Sequence, residues 1–389
     1  MTVEWERGTS LQAALDAVAT AGGGTVSVGP GEYASGPVAL GSRVELRVAA
    51  GARIDFFCDP ESPETVETEF EGVAGPCARP LIYARDAENV RVTGGGVLTG
   101  GGAVWWNLVR AGTLRRPRPR FLLFENCADV LVKGITLVDS PCWTIHPLNC
   151  QNVEVRSVRI KNPADAPNTD GINPDGCKTV TISDCEIDVG DDCVAVKAGT
   201  RACENIRIEN CRMLSGHGGV VLGSETAGGI RDVTIENCVF LGTDRGIRVK
   251  SRRGRGGGVD HVVARNLRMD GVACPIVLNM RYFCGAGGKE ARVRSDEPQR
   301  VDAGTPRFRD IEIRHVRAEN VTGCALFALG IPEARPTGIV VEDFEAELVP
   351  GSPFVPAMAE GVGSMEAEGF YIRDADVKMI GLRAERARL

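Results

Sequence analysis

Four short polar motifs in the middle of the chain contain residue types that can transfer protons and bind anions. Three aspartates, one histidine and two cations occur in them between residues 168 and 250. The motifs are Asn168-Thr169-Asp170, Gly190-Asp191-Asp192, Gly216-His217-Gly218 and Arg248-Val249-Lys250. Each follows the previous one at an interval close to the internal repeat described below, so we expect these side chains to stack on one face of the protein.

The three aspartates suggest acid and base catalysis. Carboxylates held close together raise the pKa of at least one of them, which can then donate a proton near neutral pH. A second, ionised carboxylate can act as a base. Asp170 and Asp191 are 21 residues apart, so we expect them on neighbouring coils, with their carboxyl groups separated by the roughly 6.5–9.5 Å of an inverting glycosidase. Taken singly, the two aspartate motifs have an alternative interpretation, because Asn and Asp also form turns.

An internal repeat must position these motifs. Apolar residues occur at offsets 0, 2, 5 and 7 from Val130, and Asn or Asp is frequent at offset 4. The pattern starts again at Val153, Val180, Ile206, Val233, Val262, Ile311, Ile339 and Phe370, and Val90, Val92 and Val97 fit three of its four positions. Residues at offsets 0 and 2 point inward from one strand, and those at 5 and 7 from the next. Asn and Asp tolerate the left-handed conformation that a sharp bend between these strands requires.

Two short strands joined by a corner describe one coil of a solenoid whose coils stack ~4.8 Å apart. We therefore predict an all-β fold, a right-handed parallel β-helix with a short N-terminal capping helix. Residues 1–35 form the cap, in which Thr9 and Gln12 have capping-box spacing. Residues 36–389 form the coils, with loop insertions near 56–78, 100–120 and 284–307. No interdomain linker is evident, so we predict a single domain over residues 1–389.

Composition narrows the classes of function. The chain has 389 residues, 48 of them glycine, and 43% apolar content, which suits turn-rich β-structure. A net charge of −7 argues against a nucleic-acid partner. No apolar run approaches the ~20 residues of a membrane span, so we expect no membrane partner. The N-terminus lacks the features of a secretory signal, so we expect a cytoplasmic protein, or a secreted one whose leader has been removed.

Seven of the fourteen cysteines follow the repeat. Three occupy offset 5 and four lie three residues before a template start; these are Cys185, Cys211 and Cys238, and Cys127, Cys150, Cys177 and Cys203. Both sets suit small inward-facing apolar residues, so we predict buried thiols in a reducing compartment rather than disulfides. No Cys-x-x-Cys spacing occurs and no cluster of ligands suggests a metal, so we expect neither a metal nor another cofactor.

In order and spacing, the four motifs resemble those of glycoside hydrolase family 28, the polygalacturonases. Val249 departs from the family pattern, in which Ile is usual. The segments Gly22-Gly23-Gly24, Gly94-Gly95-Gly96 with Trp105-Trp106, and Trp143-Thr144-Ile145-His146-Pro147 resemble the bacterial branch. The similarity covers nearly the whole chain and is weakest after about residue 285.

The resemblance implies hydrolysis of α-1,4-galacturonosidic bonds in pectin with inversion of configuration. It assigns Asp191 as the general acid and Asp170 with Asp192 as the residues that activate water. His217 would sit beside the acid and help to hold or restore its proton. It assigns Arg248 and Lys250 to a substrate carboxylate, and a polyanionic pectic substrate does need cations at its subsites.

Other residues have both a functional and a structural interpretation. Asn168 could position the aspartates or cap a turn. Tyr282 could stack on a sugar one coil beyond Lys250, and Glu225 could be a further contact near that face. His146 could border a subsite or pack internally, and the Trp105-Trp106 pair could stack on substrate or lie in the core.

Several activities share these motifs or this fold. We expect exo action on polygalacturonate or its oligomers, because the long insertions could close a cleft at one end. An endo-polygalacturonase or a rhamnogalacturonan hydrolase would carry the same four motifs. A pectate lyase uses the same fold with Ca²⁺ and an arginine base, and a non-catalytic β-helix that binds glycans is the remaining alternative. The sequence does not indicate the oligomeric state.

Overall fold

The computed structural model describes residues 1–283, 287–349, 353–354, 365–366 and 369–386. The chain divides into two compact units, Met1–Asp191 and Asp192–Leu389. Both are built almost entirely of β-strands, and the described residues contain three helices. None of these helices has the length and apolar character needed to cross a membrane. The all-β prediction is confirmed, whereas the single domain remains a prediction.

The first unit consists of short strands and two helices. The helices are α1 (Leu11–Thr20) and α2 (Ala103–Arg110). The strands are β1 (Thr2–Glu4), β2 (Gly24–Val28), β3 (Gly31–Ser35), β4 (Val38–Ala39), β5 (Val44–Val48), β6 (Ala52–Phe56), β7 (Thr65–Phe70), β8 (Val73–Ala78), β9 (Ile82–Arg85), β10 (Glu88–Gly94), β11 (Val97–Thr99), β12 (Leu122–Glu125), β13 (Ala128–Lys133), β14 (Thr136–Val138), β15 (Ile145–Leu148), β16 (Gln151–Arg156), β17 (Arg159–Lys161), β18 (Lys178–Ser183) and β19 (Glu186–Asp188).

Strands of successive coils in this unit pair in parallel. One run is β5, β10, β13, β16 and β18, and a second is β6, β11, β14, β17 and β19. A third sheet contains β4, β9, β12 and β15. Val130 aligns with Val153, and Val153 with Val180, and all three are buried. The predicted repeat therefore sets the register, with like residues in inward columns.

The second unit has the same construction. Its strands are β20 (Asp192–Val196), β21 (Cys203–Glu209), β22 (Arg212–Leu214), β23 (Gly218–Leu222), β24 (Ile230–Glu236), β25 (Val239–Leu241), β26 (Arg245–Lys250), β27 (Gly258–Asp270), β28 (Cys274–Asn279), β29 (Arg307–Val321), β30 (Leu326–Leu329), β31 (Thr337–Leu348), β32 (Pro353–Phe354), β33 (Met365–Glu366), β34 (Phe370–Arg373), β35 (Val377–Ile380) and β36 (Arg383–Arg386). Its one described helix is α3 (Ala291–Arg294). One parallel sheet contains β20, β23, β26, β28, β30 and β34 in that order, and this sheet carries the second half of the motif residues.

The corners of the coils adopt the predicted conformation. Residues at offset 4 have φ near +55°, among them Asp184, Asn210, Asn237, Asn266 and Asp343. A left-handed backbone costs an ordinary L-residue roughly 1–2 kcal/mol, and Asn and Asp reduce this cost through local hydrogen bonds. The repeated Asn and Asp therefore mark the bends between consecutive strands.

Two register assignments from the sequence were wrong. The last coil aligns Val377 with Ile339, so its template begins at Val377 and not at Phe370, which instead pairs with Leu326 in another sheet. Asp374 lies at offset 4 from Phe370 and has φ of 50°, so it resembles the corner residue of the repeat although it belongs to a different turn. Near the first coils, Leu98 and not Val97 aligns with Leu137, because the corner after β10 has an extra glycine.

Helix α1 forms where the sequence predicts it but has a different N-cap. Ser10, and not Thr9, accepts the hydrogen bond from the Ala13 amide. Gln12 bonds instead to the backbone of Ala39, which connects the helix to β4. Leu11, Leu15 and Val18 are buried, so one apolar face of the helix packs inward. Whether the helix caps a solenoid remains a prediction.

The three predicted insertions contain secondary structure of their own. The first forms an antiparallel hairpin of β7 and β8. The second contains α2, in which Trp105 and Trp106 are buried, and Trp106 donates a hydrogen bond to the Ser140 carbonyl. This tryptophan pair therefore packs in the interior. The third contains α3, and residues 284–286 at its start lie outside the described residues.

The thirteen cysteines that the structure describes are all buried thiols. Cys284, the fourteenth, lies outside the described residues. Burial raises the pKa of the Cys142 thiol and therefore suppresses the reactive thiolate. The prediction of buried thiols is confirmed for the described cysteines.

Candidate active site

In the first unit, the turn that carries Asp170 lies one coil beyond Trp143. The Thr144 amide donates to the Asp170 carbonyl at 2.8 Å. The Asp170 side chain is buried, and Asn173 Nδ2 donates to its Oδ2 at 2.9 Å. Asn173 therefore supplies the buried Asp170 carboxylate with a hydrogen-bond donor.

Thr169 connects the first two motifs. Its hydroxyl donates to the Ala166 carbonyl at 2.9 Å and accepts from the Gly190 amide at 3.1 Å. A Cβ at Gly190 would lie 2.3 Å from the Ala166 carbonyl oxygen, so this close approach requires glycine. The turn of Asp170 and the turn that precedes Asp191 are therefore fixed together.

Asn168 contacts the proposed acid directly. Its Nδ2 lies 3.4 Å from Asp191 Oδ2, and its backbone is left-handed, with φ of 51°. Its Oδ1 accepts a hydrogen bond from Arg118 Nη2 at 2.7 Å. Of the two alternatives for Asn168, this geometry favours positioning of an aspartate. The sequence analysis missed Arg118, which follows no repeat register.

His146 is fully buried in the first unit. Its ring packs edge-on against Trp143, with ring centroids 4.9 Å apart, and its Nε2 lies 3.7 Å from Asp175 Oδ2. This environment favours the packing role over a subsite contact. Trp143 in turn packs against Phe70 of the inserted hairpin, with ring centroids 4.6 Å apart.

In the second unit, Asp192 lies in a cationic cluster. Lys250 Nζ is 2.7 Å from Asp192 Oδ2, and Arg248 Nη1 is 3.7 Å from Asp192 Oδ1. All three side chains are at least 93% buried. Burial alone would raise the pKa of Asp192, but the charges of Lys250 and Arg248 outweigh it and lower the pKa to about 2. Asp192 is therefore ionised at neutral pH and cannot donate a proton there.

Tyr282 lies against the same two cations. Its ring centroid is 5.0 Å from Lys250 Nζ and 5.4 Å from Arg248 Cζ. Only 6% of Tyr282 is exposed. The ring therefore stabilises the cations through its π face. From sequence, Tyr282 was expected to stack on a sugar, and this contact with the cations was not foreseen.

His217 occupies the turn before β23 and is half-buried. The next residue, Gly218, aligns with Asp192 on the neighbouring strand. A Cβ at Gly218 would lie 2.4 Å from Val221 Cγ2 and 3.0 Å from Asp192 Oδ1. Glycine is therefore required for the close packing of the His217 turn against the Asp192 strand.

A second buried ionic group lies in this unit around Glu225. Lys197 Nζ is 3.4 Å from Glu225 Oε2, and Arg255 Nη1 is 3.9 Å from Glu225 Oε1. Burial acts to raise the pKa of Glu225, but Lys197 and Arg255 outweigh it and lower the pKa. Lys197 was missed from sequence, although its position directly after the strand that begins at Asp192 was a usable signal.

The basic run from Arg245 to Arg255 is not a solvated surface. Arg245, Arg248, Lys250, Arg252 and Arg253 are all buried. Arg253 pairs with Glu333 at 2.5 Å and donates to the carbonyls of Arg292 and Ser295. This part of the run therefore attaches the third insertion to the coils.

One group among the described residues has the donor atoms of a metal site. It consists of Asp260, His261 and Asp310, of which His261 and Asp310 are largely exposed. It contains none of the residues of the four motifs. The carboxylates of the motifs are engaged by the amides of Asn168 and Asn173 and by the Lys250 cation.

Comparison with known proteins gives the same family as the motifs. Residues 59–325 match the sequence model described as "Glycosyl hydrolases family 28". A Vitis vinifera protein named "Probable polygalacturonase" is 33% identical over 297 residues, which are 73% of this chain and 58% of that protein. The "Endo-polygalacturonase" of Pectobacterium carotovorum is 31% identical over 270 residues, 64% of this chain and 65% of the relative. The chain thus spans less than two thirds of the length of these curated relatives.

Solved structures resemble the chain over nearly its full length. An exopolygalacturonase from Thermotoga maritima is 26% identical, with a TM-score of 0.82 over 99% of this chain and 92% of that one. A polygalacturonase from Erwinia carotovora has a TM-score of 0.73 and 23% identity over 97% of this chain and 96% of that one. The matched segment is well over half of the sequence and includes all four motifs, so the chain belongs to the glycosyl hydrolases of family 28.

Proposed function

We propose that the protein hydrolyses α-1,4-galacturonosidic bonds of polygalacturonate or its oligomers by inverting general acid–base catalysis. The observation that carries the proposal is the buried cluster of Asp192, Lys250 and Arg248, in which two cations keep one carboxylate ionised. Inverting hydrolysis requires one ionised carboxylate as base and a separate carboxylic acid, and this cluster holds one carboxylate in the ionised form. Family membership supplies the substrate class.

Asp191 is the proposed general acid, and Asp170 and Asp192 are proposed to activate the attacking water. His217 is proposed to hold or restore the proton of the acid. Arg248 and Lys250 are proposed to serve two purposes. They compensate the charge of Asp192, and they bind a carboxylate of the substrate. Tyr282 is proposed to keep both cations in place at a subsite.

We propose exo action, and the inserted hairpin of the first unit supports it. Phe70 of β7 packs on Trp143, whose coil immediately precedes that of Asp170. Arg120 is fully buried and donates to the Glu69 carbonyl, which attaches the hairpin to the coils. A hairpin fixed beside the Asp170 coil would obstruct a polysaccharide that continued in that direction. The likeness to the Thermotoga maritima exopolygalacturonase adds support.

Product sizing on polygalacturonate tests the proposal. We expect monogalacturonate or another short product of fixed length from the earliest time points, with no unsaturated product. Asp191→Asn should abolish hydrolysis, whereas Asp184→Asn, the same chemical change at an exposed corner, should retain it. Early long oligomers would show endo action. Release of sugars from rhamnogalacturonan but not from polygalacturonate would show a rhamnogalacturonan hydrolase. Unsaturated, chelator-sensitive products would show a lyase, and binding without cleavage would show a non-catalytic protein.

Finer assignments follow from the same proposal. We propose a right-handed parallel β-helix, since parallel crossovers are almost always right-handed, capped by α1 and forming a single domain. We propose a place in the bacterial branch, supported by the likeness to the Thermotoga maritima structure. Buried thiols at all described cysteines support a cytoplasmic location, which cell fractionation would test.

A further inference from the structure

Arg118 is a buried cation in the second insertion to which neither the motifs nor the family assignment gives a role. It is 4% exposed and uses its guanidinium in three hydrogen bonds. Nη1 donates to the carbonyls of Pro141 at 2.9 Å and Pro167 at 2.6 Å. Nη2 donates to Asn168 Oδ1 at 2.7 Å.

These contacts determine which way the Asn168 amide faces. A guanidinium has only donors, so Asn168 must present its carbonyl oxygen to Arg118. Its NH₂ group then faces Asp191, where Nδ2 lies 3.4 Å from Oδ2. The opposite amide orientation would place NH₂ against the guanidinium and a carbonyl oxygen against a carboxylate, and both contacts would be repulsive.

The fixed amide in turn distinguishes the two oxygens of Asp191. Oδ2 accepts the hydrogen bond from Asn168, so a proton carried by Asp191 resides on Oδ1. A general acid is effective only when its proton points at the leaving oxygen, and small misplacements of catalytic groups reduce rates strongly. We propose that Arg118 is a positioning residue for the general acid, acting through Asn168 to direct the transferable proton of Asp191 to Oδ1.

This inference rests on the proposed function, in which Asp191 is the acid. A purely structural role would differ in one respect. If Arg118 only holds the carbonyls of Pro141 and Pro167 in place, its loss and the loss of the Asn168 amide would act independently. If Arg118 acts through Asn168, the two losses would not be additive.

The test is a double-mutant cycle on the full chain, with kcat and KM measured on polygalacturonate. We expect Arg118→Met and Asn168→Ala each to lower kcat by about 10- to 100-fold, with KM changed less than about threefold. The double variant should fall no more than about threefold below Asn168→Ala. Arg115→Met removes an exposed arginine of the same insertion and should match the parent.

Asn168→Asp gives a second readout that does not depend on Arg118→Met folding well. It keeps an oxygen for Arg118 but replaces the donor facing Asp191 with a carboxylate. A like charge raises the pKa of a neighbouring acid, so the basic limb of the kcat–pH profile should move to higher pH while kcat falls. Arg118→Lys, which keeps the charge and a donor, should recover part of the activity lost in Arg118→Met.

Multiplicative losses in the double variant, or parent-like kcat in Arg118→Met, would overturn the inference. An unmoved pH profile in Asn168→Asp would also overturn it. These outcomes are distinct from failure of the proposed function, which would appear as hydrolysis retained in Asp191→Asn or absent from the parent.

Discussion

The buried pair of Lys250 and Asp192 makes a strong prediction about stability. Asp192 is 2% exposed and relies on Lys250 at 2.7 Å, with Arg248 further away at 3.7 Å. Removing one partner of a buried ion pair costs about 3–5 kcal/mol of unfolding free energy when no other charge compensates the one left behind, and here the more distant Arg248 makes the lower end of that range the expectation. We therefore expect Lys250→Met to lose about this amount at pH 7.

The same pair predicts how the loss depends on pH. The pKa of Asp192 is lowered from 3.8 to about 2 in the folded protein, which corresponds to stabilisation on the order of 2 kcal/mol. Because the folded pKa is the lower one, this stabilisation is present above pH 4 and is lost as pH falls from about 4 to 2. In Lys250→Met the pKa of Asp192 rises, so this contribution is already absent. The difference between parent and variant should therefore shrink by about 1 kcal/mol at pH 3, which lies midway between the unfolded and folded pKa values of Asp192.

Equilibrium denaturation at pH 7 and pH 3 measures both effects. Arg43→Met, which breaks an ion pair with both side chains more than half exposed, should cost less than about 1 kcal/mol. Adding Asp192→Asn to Lys250→Met should recover part of the loss, because it removes a buried charge that has lost its nearest cation. A loss at pH 7 no larger than that of Arg43→Met, or a difference independent of pH, would refute the reasoning.

Three further predictions concern the scaffold. Arg253→Met should open residues 287–300 to limited proteolysis, because Arg253 pairs with buried Glu333 and holds two carbonyls of that segment; an unchanged cleavage pattern would contradict this. Asn237→Ala should lower the unfolding free energy by about 1–2 kcal/mol and Asn237→Gly by less, since φ at this corner is 55°; equal losses in the two variants would count against the corner argument. Thirteen of the fourteen cysteines should react with a thiol reagent only after unfolding, since the described ones, such as Cys142, are buried; rapid labelling of several in the native protein would disprove it.

The coils could be predicted because each one repeats the same local chemistry. The apolar columns through Val130, Val153 and Val180 and the left-handed corners at Asp184 and Asn237 follow from spacing alone. The assignment failed where a chance pattern imitated the repeat. Phe370 and the turn at Asp374 have the right spacing but belong to another strand of the coil.

The motif residues could be predicted, but their partners outside the motifs could not. Asp192, Arg248 and Lys250 keep a fixed place in the repeat, so their approach within one unit was foreseeable. Arg118 comes from an insertion, where sequence position carries no information about spatial neighbours. The N-cap of α1 could not be assigned from sequence for a different reason, since both Thr9 and Ser10 have side chains suited to that position.

The anomeric form of the first product tests the central claim most directly. Proton NMR of a trigalacturonate digest resolves the product before its anomers equilibrate. The proposed roles of Asp191 as acid and of Asp170 and Asp192 as base predict that the newly formed reducing end appears first as the β-anomer, and that Asp191→Asn yields no product. An α-anomer formed first, or a signal of an unsaturated sugar, would contradict the inverting hydrolysis proposed for this chain.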